Sequence, residues 1–182
     1  MPEADVPGSA PRPVASGLVV PFSVPPALAD ARRRWDRAAL SGAGPHVTIL
    51  HPFLPCEALG PADRTELAAI AGSVPAFQVS FERVRRFADL VWIEPEPADP
   101  FAALTAAVVE RWPDHPPYGG TFETVIPHLT LVESEVAPFE AIEEAIARVA
   151  PFVRRAQRLE LWCQDAAGRW RPRWRIPFGV RP

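Results

Sequence analysis

The sequence predicts an α+β fold, a bilobal duplication of βαβ-like units about a pseudo-two-fold axis, with mainly antiparallel sheets flanking a central cleft. Three observations lead to this prediction. The string Pro-His-apolar-Thr-apolar occurs twice, as PHVTI at 45–49 and PHLTL at 127–131. Each copy lies in a β-branched, apolar segment typical of a strand, between helical patterns. The two histidines are 82 positions apart in a chain of 182 residues, which indicates a repeat of about half the chain.

The rest of the chain fits the same plan. After a short apolar strand at 18–22, each half shows a helix, a histidine-containing strand, a second helix and a hairpin. The first half has them at 26–40, 46–50, 61–73 and 77–95, and the second half at 99–112, 125–133, 138–150 and 158–178. A tight turn near Ala88 and Asp89 is expected to join the strands of the first hairpin.

The two ends of the chain differ in composition. Residues 1–16 are rich in Pro, Ala, Gly and Ser and show no period, so we expect a disordered tail ahead of one bilobal domain over 17–182. Nothing there has the basic and apolar parts of a signal peptide, and no segment approaches the roughly 20 apolar residues of a membrane span. We therefore expect a cytoplasmic protein with no membrane partner, and we favour a monomer.

The charge distribution bears on the substrate. The formal net charge of -3 argues against avid, sequence-independent binding of nucleic acid. From residue 148 onward, however, nine arginines face only two acidic residues, so this part could attract a small anion or an RNA end. All 19 basic residues are arginine, a bias that suggests a GC-rich bacterial genome.

The chain has only two cysteines, Cys56 and Cys163, and their spacing is not that of a metal site. Two cysteines are too few for a disulfide framework, so we expect a pair of reduced thiols. The acidic residues after the second histidine, such as Glu133 and Glu135, form no ligand pattern either. We therefore expect neither a metal ion nor another cofactor.

The repeated strands place reactive groups on one face. Because side chains alternate along a strand, His46 and Thr48 point to one side and Val47 to the other, and His128 and Thr130 repeat this arrangement. If the halves face each other, two imidazoles and two hydroxyls share one pocket. A neutral imidazole can take a proton from water, and an imidazolium can give one to a leaving oxygen. The hydroxyls can donate hydrogen bonds to phosphate oxygens, so the set suits cleavage of a phosphodiester.

Longer segments around these motifs resemble a known family. They are PHVTILHPFLP at 45–55, FERVRRFADLVWIEPEP at 81–97 and PPYGGTFETVIPHLTLVES at 116–134. They are similar to the bacterial 2'-5' RNA ligase and RNA 2',3'-cyclic phosphodiesterase branch of the 2H phosphoesterase superfamily, over most of residues 17–180. The resemblance implies a bilobal fold and metal-independent action on cyclic phosphodiesters or 2'-5' linkages. It also implies a site formed by His46, Thr48, His128 and Thr130.

Three further residues are candidates for substrate contacts. Tyr118, the only tyrosine, lies in a Pro/Gly loop that leads into the second histidine strand and could stack on a base. In the last hairpin, strict alternation puts Arg171 and Arg173 on one face with Arg169 and Arg175, and Trp170, Pro172, Trp174 and Ile176 on the other. This arginine face is either an ordinary solvated surface or a wall that attracts phosphate.

The sequence leaves three functions open. The leading hypothesis is a phosphodiesterase that opens a 2',3'-cyclic phosphate on an RNA end or a small nucleotide, with His46 and His128 as acid and base. A non-catalytic protein that binds a phosphorylated nucleotide or RNA end in the same cleft would use the same groups. RNA end joining is the reverse of the same chemistry. The sequence does not say which histidine is the acid.

Overall fold

The structure, a computed structural model, describes residues 15–87, 89–122 and 125–180. Its strands are β1 (Ser16–Pro21), β2 (His46–Leu50), β3 (Phe77–Arg86), β4 (Leu90–Glu96), β5 (Leu129–Glu133), β6 (Phe152–Ala156), β7 (Arg158–Gln164) and β8 (Trp170–Pro177). Its helices are α1 (Pro26–Trp35), α2 (Arg37–Leu40), α3 (Pro61–Gly72), α4 (Asp99–Arg111) and α5 (Phe139–Ala147). Short 3-10 turns occupy Cys56–Ala58 and Pro117–Gly120.

The eight strands form one sheet in the order β6-β3-β4-β5-β2-β1-β7-β8, and neighbouring strands run antiparallel. The two histidine strands, β2 and β5, are neighbours at the centre. We call β2-β1-β7-β8 with α3 and α4 the first lobe, because these helices pack against β8 and β2. We call β5-β4-β3-β6 with α1 and α5 the second lobe, because α1 packs against β5 and α5. The predicted α+β class and the bilobal, mainly antiparallel duplication are confirmed.

The repeated unit differs from the predicted one at its ends. Reflection of the strand order about the β2 and β5 junction matches β1 with β4 and β3 with β7. The first repeat is thus β1-α1-β2-α3-β3, and the second is β4-α4-β5-α5-β7, with β6 inserted between α5 and β7. The β3 and β4 strands do pair, as the hairpin prediction required, but β4 also pairs with β5 as β1 pairs with β2. Proximity in the sequence indicates only the pairing of β3 with β4. The sequence prediction therefore assigned β4 to the first repeat instead of the second.

Alternation along β2 and β5 divides the sheet into two faces. Val47, Ile49 and Leu129 are buried in the main core, together with helix residues such as Leu104 and Ile146. The residues between them in sequence, including the threonines and histidines of the repeated motif, are half-buried. The helices therefore cover one face of the sheet, and the opposite face carries the polar groups of the motif.

The prediction that four arginines share one face of the last hairpin is wrong. The register of β7 and β8 pairs Glu160 with Arg175 and Cys163 with Arg171, and it shifts by one residue between Leu161 and Trp162. Glu160 and Cys163 are three residues apart and point to opposite faces, so their arginine partners do as well. A β-bulge at Arg173 inserts one extra residue, and the strict alternation assumed from sequence does not survive a bulge.

The expectation of two reduced thiols is also wrong, because Cys56 and Cys163 form a disulfide. Cys56 lies in the 3-10 turn after β2 and Cys163 lies in β7, with their Cα atoms 6.0 Å apart. They are 107 positions apart in the sequence, and only the tertiary fold brings the turn onto β7. Counting cysteines could not reveal this approach.

Some predictions fall on residues outside the described ranges. Most of the predicted tail, residues 1–14, is not described, and β1 begins at Ser16, the last residue assigned to that tail. Ala88, at the predicted turn between β3 and β4, is also outside them. No helix within the described ranges is long and apolar enough to cross a membrane.

We predict that the disulfide stabilises the fold. Replacing Cys56 and Cys163 together by serine should lower the free energy of unfolding by about 2 to 4 kcal/mol, because the bond closes a long loop in the unfolded chain. Urea denaturation measures this change. A reducing agent should destabilise the wild type and leave the double variant unaffected. Two reactive thiols in the unreduced, denatured wild type would contradict the prediction.

Candidate active site

The junction of β2 and β5 brings the repeated motifs together. The two strands are antiparallel with Val47 opposite Leu129. Continuing this register by one residue each way sets His46 opposite Thr130 and Thr48 opposite His128. Directly opposed side chains have Cβ atoms about 4.5 to 5.5 Å apart, and diagonal ones about 7 to 8 Å. The two-residue spacing of the motif thus produces a square of two imidazoles and two hydroxyls on one face, with the imidazoles at opposite corners.

Both imidazoles are held in the same way. The Nδ1 atom of His46 lies 2.7 Å from the carbonyl oxygen of Gly44, and Nδ1 of His128 lies 2.7 Å from that of Ile126. A carbonyl oxygen can only accept, so Nδ1 carries a hydrogen in each ring. In each case Nε2 is left available for a substrate. The proline that precedes each histidine separates it from the residue that supplies the carbonyl.

Each imidazole also packs edge-on against a tryptophan. The rings of His46 and Trp162 are 4.9 Å apart at 65°, and those of His128 and Trp92 are 5.4 Å apart at 62°. Trp162 is itself fixed, because its Nε1 donates to the buried carboxylate of Glu160 at 2.7 Å. Trp92 Nε1 is buried without a hydrogen-bond partner among the described residues. Each imidazole thus contacts a tryptophan. Among the described residues, only Trp162 of these two tryptophans is held by a hydrogen bond through its Nε1 atom.

The environment of His46 disfavours its charged form. Burial lowers the pKa of His46 from 6.5 to about 4, while the hydrogen bond to Gly44 acts in the opposite direction. The charges of Arg32, His128 and His51 lower this pKa further. At neutral pH His46 is therefore a neutral imidazole with the lone pair on Nε2, which is the form that accepts a proton.

Tyr118 lies beside this site. Its side chain lies next to that of Thr48, and burial raises the pKa of Tyr118. Its backbone amide donates to the carbonyl of His51 at 2.7 Å, and its φ of 51° is in the left-handed region. The Tyr118 ring packs edge-on against Phe122 at 5.6 Å, and Phe122 is exposed. The structure thus brings Tyr118 to the motif residues, although sequence placed it only in an adjacent loop.

Arg171 and Arg173 have protein partners. The Arg171 Nε atom lies 3.3 Å from the Asp165 carboxylate. Arg173 donates to the backbone carbonyls of Cys56 and of Leu59, the latter at 3.0 Å. These contacts secure the turn after β2 and the β7 to β8 connection. A substrate contact by either arginine stays a prediction.

Two groups near the histidines were missed by sequence reasoning. Arg32 in α1 is buried and bonds to backbone on both sides of the site, and Glu160 fixes Trp162. The signal for Arg32 was present, since Leu28, Arg32 and Asp36 follow one another at four-residue spacing on one helix face. For Glu160 no sequence signal was available, because a charged residue in an apolar strand is ambiguous without its partners. Within the described ranges, no group of three or more His, Cys, Asp or Glu side chains could hold a metal ion.

The fold and the paired His-x-Thr strands define a member of the 2H phosphoesterase class. A family model described as the 2'-5' RNA ligase superfamily matches residues 20–168, and the chain belongs to this superfamily. No match was found among curated protein sequences.

Solved structures show the same fold at low sequence identity. The TT0787 protein of Thermus thermophilus has a TM-score of 0.63 at 17% identity, with 92% of this chain and 100% of that one covered. A phosphoesterase crystal structure has a TM-score of 0.56 at 16% identity, covering 92% and 99%. Escherichia coli LigT complexed with 3'-AMP has a TM-score of 0.54 at 15% identity, also covering 92% and 99%.

We predict that His46 makes folding sensitive to mild acid. The unfolded chain takes up a proton on this residue near pH 6.5, whereas the folded chain does so only near pH 4. Between these values the unfolded state binds more protons, so the free energy of unfolding falls as the pH is lowered through this window. Urea denaturation across the window should show a shallower decline for His46→Gln than for the wild type. Identical slopes for the two proteins would contradict the prediction.

Proposed function

We propose that this chain is a metal-independent phosphodiesterase that opens 2',3'-cyclic phosphates on RNA ends or small nucleotides. The observation that carries the proposal is the pairing of Val47 with Leu129, which brings the two His-x-Thr motifs side by side at the β2 and β5 junction. Both Nδ1 atoms are bound to backbone carbonyls, which leaves Nε2 of each ring for the substrate. An acid and a base on either side of one phosphate suit in-line displacement at phosphorus.

In the proposed reaction His46 is the base and His128 is the acid. A water oxygen forms a bond to phosphorus while one ester bond of the ring, to the 2' or 3' oxygen, breaks. His46 Nε2 takes the proton of the water, and His128, protonated on both nitrogens, gives a proton to the leaving oxygen. The neutral state of His46 at neutral pH supports this assignment. The net result is addition of one water molecule and a phosphomonoester product.

Thr48 and Thr130 are proposed to bind the non-bridging phosphate oxygens. Each hydroxyl stands opposite an imidazole, on the face where the phosphate would lie. A hydroxyl can donate to an oxygen whose negative charge increases in the transition state, which lowers the barrier.

The related structures support a nucleotide or phosphate ligand for this cleft. Crystal structures of Escherichia coli LigT contain 3'-AMP and phosphate. A 3'-nucleotide is one of the two products that opening of a 2',3'-cyclic phosphate can give. The proposal for this chain adopts that substrate class and adds the residue roles above.

We predict that His46→Ala and His128→Ala each lower kcat by about 100- to 10,000-fold on a 2',3'-cyclic mononucleotide, because each removes a proton-transfer group. Circular dichroism should show that both variants remain folded. If His46 is the base, kcat/KM of the wild type should decline as the pH falls toward the His46 pKa of about 4. Full turnover by both variants would contradict the mechanism.

Product analysis separates the competing functions. The wild type is incubated with 2',3'-cyclic mononucleotides, 2'-5'-linked dinucleotides and RNA ends, and the products are resolved by chromatography. Phosphomonoesters indicate hydrolysis, and longer chains indicate ligation. Thermal stabilisation by these compounds without any product would show a binding protein instead.

We predict that the Tyr118 ring and hydroxyl act separately. Tyr118→Phe keeps the ring and removes the hydroxyl next to Thr48, so it should lower kcat with little change in KM if that hydroxyl acts on Thr48. Tyr118→Asn removes the ring but tolerates the left-handed backbone, and it should raise KM for nucleotides by about 5- to 100-fold if the ring stacks on the base. A cyclic phosphate without a base serves as the control substrate. An equal rise in KM for both substrates would rule out stacking.

A further inference from the structure

A buried ion pair lies behind the two histidine strands. Arg32 lies in α1, which packs against β5, and Asp36 follows the end of α1 and precedes α2; 2% and 0% of their surfaces are exposed. The Arg32 Nη2 atom lies 2.8 Å from Asp36 Oδ2. The proposed mechanism assigns neither residue a step.

The hydrogen bonds of this pair reach the backbone on both sides of the site. On the β5 side, Arg32 Nη1 donates to the Thr130 carbonyl, and the Glu133 amide donates to Asp36 Oδ1 at 3.1 Å. On the other side, Arg32 Nη2 donates to the Ala43 carbonyl at 3.3 Å, and the Ala39 amide donates to Asp36 at 3.0 Å. Ala43 directly precedes Gly44, whose carbonyl holds the His46 ring.

The strand pairing at this point is short. Among the described residues, Val47 and Leu129 are the one pair that joins β2 to β5, whereas β1 with β2 and β4 with β5 have four pairs each. The backbone ladder alone therefore gives weak control over the relative position of the two motifs. The ion pair supplies a second connection between the same two segments.

Stability is a weak explanation for this pair. Removing two charges from water costs several kcal/mol per ion, and apolar residues of similar volume often give an equally or more stable fold. A pair that contacts two catalytic segments has a different use, since displacement of a reacting group by about 1 Å can cost roughly 100-fold in rate.

We propose that Arg32, held by Asp36, is a positioning residue that fixes the segment leading into His46 against β5 and so sets the separation of the two imidazoles. Its kinetic consequences rest on the proposed phosphodiesterase function. Its effects on the position and on the pKa of His46 do not depend on that function.

The cation also acts on His46 directly. The charged or titratable groups that influence His46 are Arg32 from α1, His128 across the junction and His51 at the end of β2. Arg32 carries a permanent positive charge, so it disfavours a second one on the imidazole. Without Arg32, His46 should bind a proton at higher pH.

The main test replaces both members of the pair by apolar residues, as Arg32→Met with Asp36→Leu, so that no buried charge is left unpaired. The double variant should fold and show kcat lowered by roughly 10- to 100-fold with little change in KM. The His46 titration midpoint, followed by NMR of the imidazole, should rise. Arg33→Met is the matched control, because Arg33 lies on the exposed side of the same helix and pairs with Asp30. Wild-type kcat with an unchanged His46 titration in the double variant would overturn the proposal.

Arg32→Lys provides a second test that keeps the charge. A lysine retains the positive charge near His46 but has a single nitrogen for the Thr130, Ala43 and Asp36 acceptors. It should leave the His46 titration close to that of the wild type and still lower kcat. If the double variant does not fold, this variant decides the matter, and wild-type kcat in Arg32→Lys would overturn the positioning role.

A third measurement separates this inference from the proposed function. Inorganic phosphate is titrated into wild type and variants, and its dissociation constant is read from the imidazole NMR signals. Weaker phosphate binding in the double variant, together with the raised His46 midpoint, supports the positioning role even if no substrate is turned over. Unchanged phosphate binding and an unchanged His46 midpoint would refute it, whatever the activity of the wild type.

Discussion

The pairing of β2 with β5 is the constraint from which the site follows. Val47 opposite Leu129 fixes the register, and the alternation of side chains then places one motif residue opposite another. A slip of one residue in either strand would send the histidine and threonine of that strand toward the core and bring its central apolar residue to the open face. The apolar residues between the motif positions prevent that slip, because they are buried against the helices.

The repeat makes the two histidines alike, and non-repeated residues make them different. In the second repeat, Thr105 of α4 takes a place comparable to that of Arg32 in α1, because its hydroxyl donates to the Ile49 carbonyl of β2 at 2.8 Å. One helix thus holds its histidine strand with a neutral hydroxyl, and the other with a guanidinium. Burial is the main cause that lowers the pKa of His46, and the charge of Arg32 acts in the same direction, whereas Thr105 carries no charge.

The sequence predicted those features that depend on periodicity. His46, Thr48, His128 and Thr130 were identified because a two-residue alternation and an internal repeat are both visible in one sequence. The prediction of an arginine face failed at Arg173, because a β-bulge changes the alternation of side chains locally and cannot be recognised from composition. The Cys56–Cys163 bond and the contact of Tyr118 with Thr48 depend on segments distant in sequence. Arg32 was predictable only in part. The sequence indicates the helix face on which it lies, but not its acceptors, the carbonyls of Thr130 and Ala43.

The interleaving of the lobes constrains how the chain acquires its structure. β1 pairs with β7, although 137 positions separate Pro21 from Arg158, and β8 completes the same lobe. During synthesis, β1 and β2 therefore emerge long before the strands that cover their outer edge. Pairings between such distant segments slow folding, because a long loop must close before any contact compensates for it. The first half of the chain therefore does not form a complete lobe alone, and β2 and β5 reach their final positions only when nearly all of the chain is available.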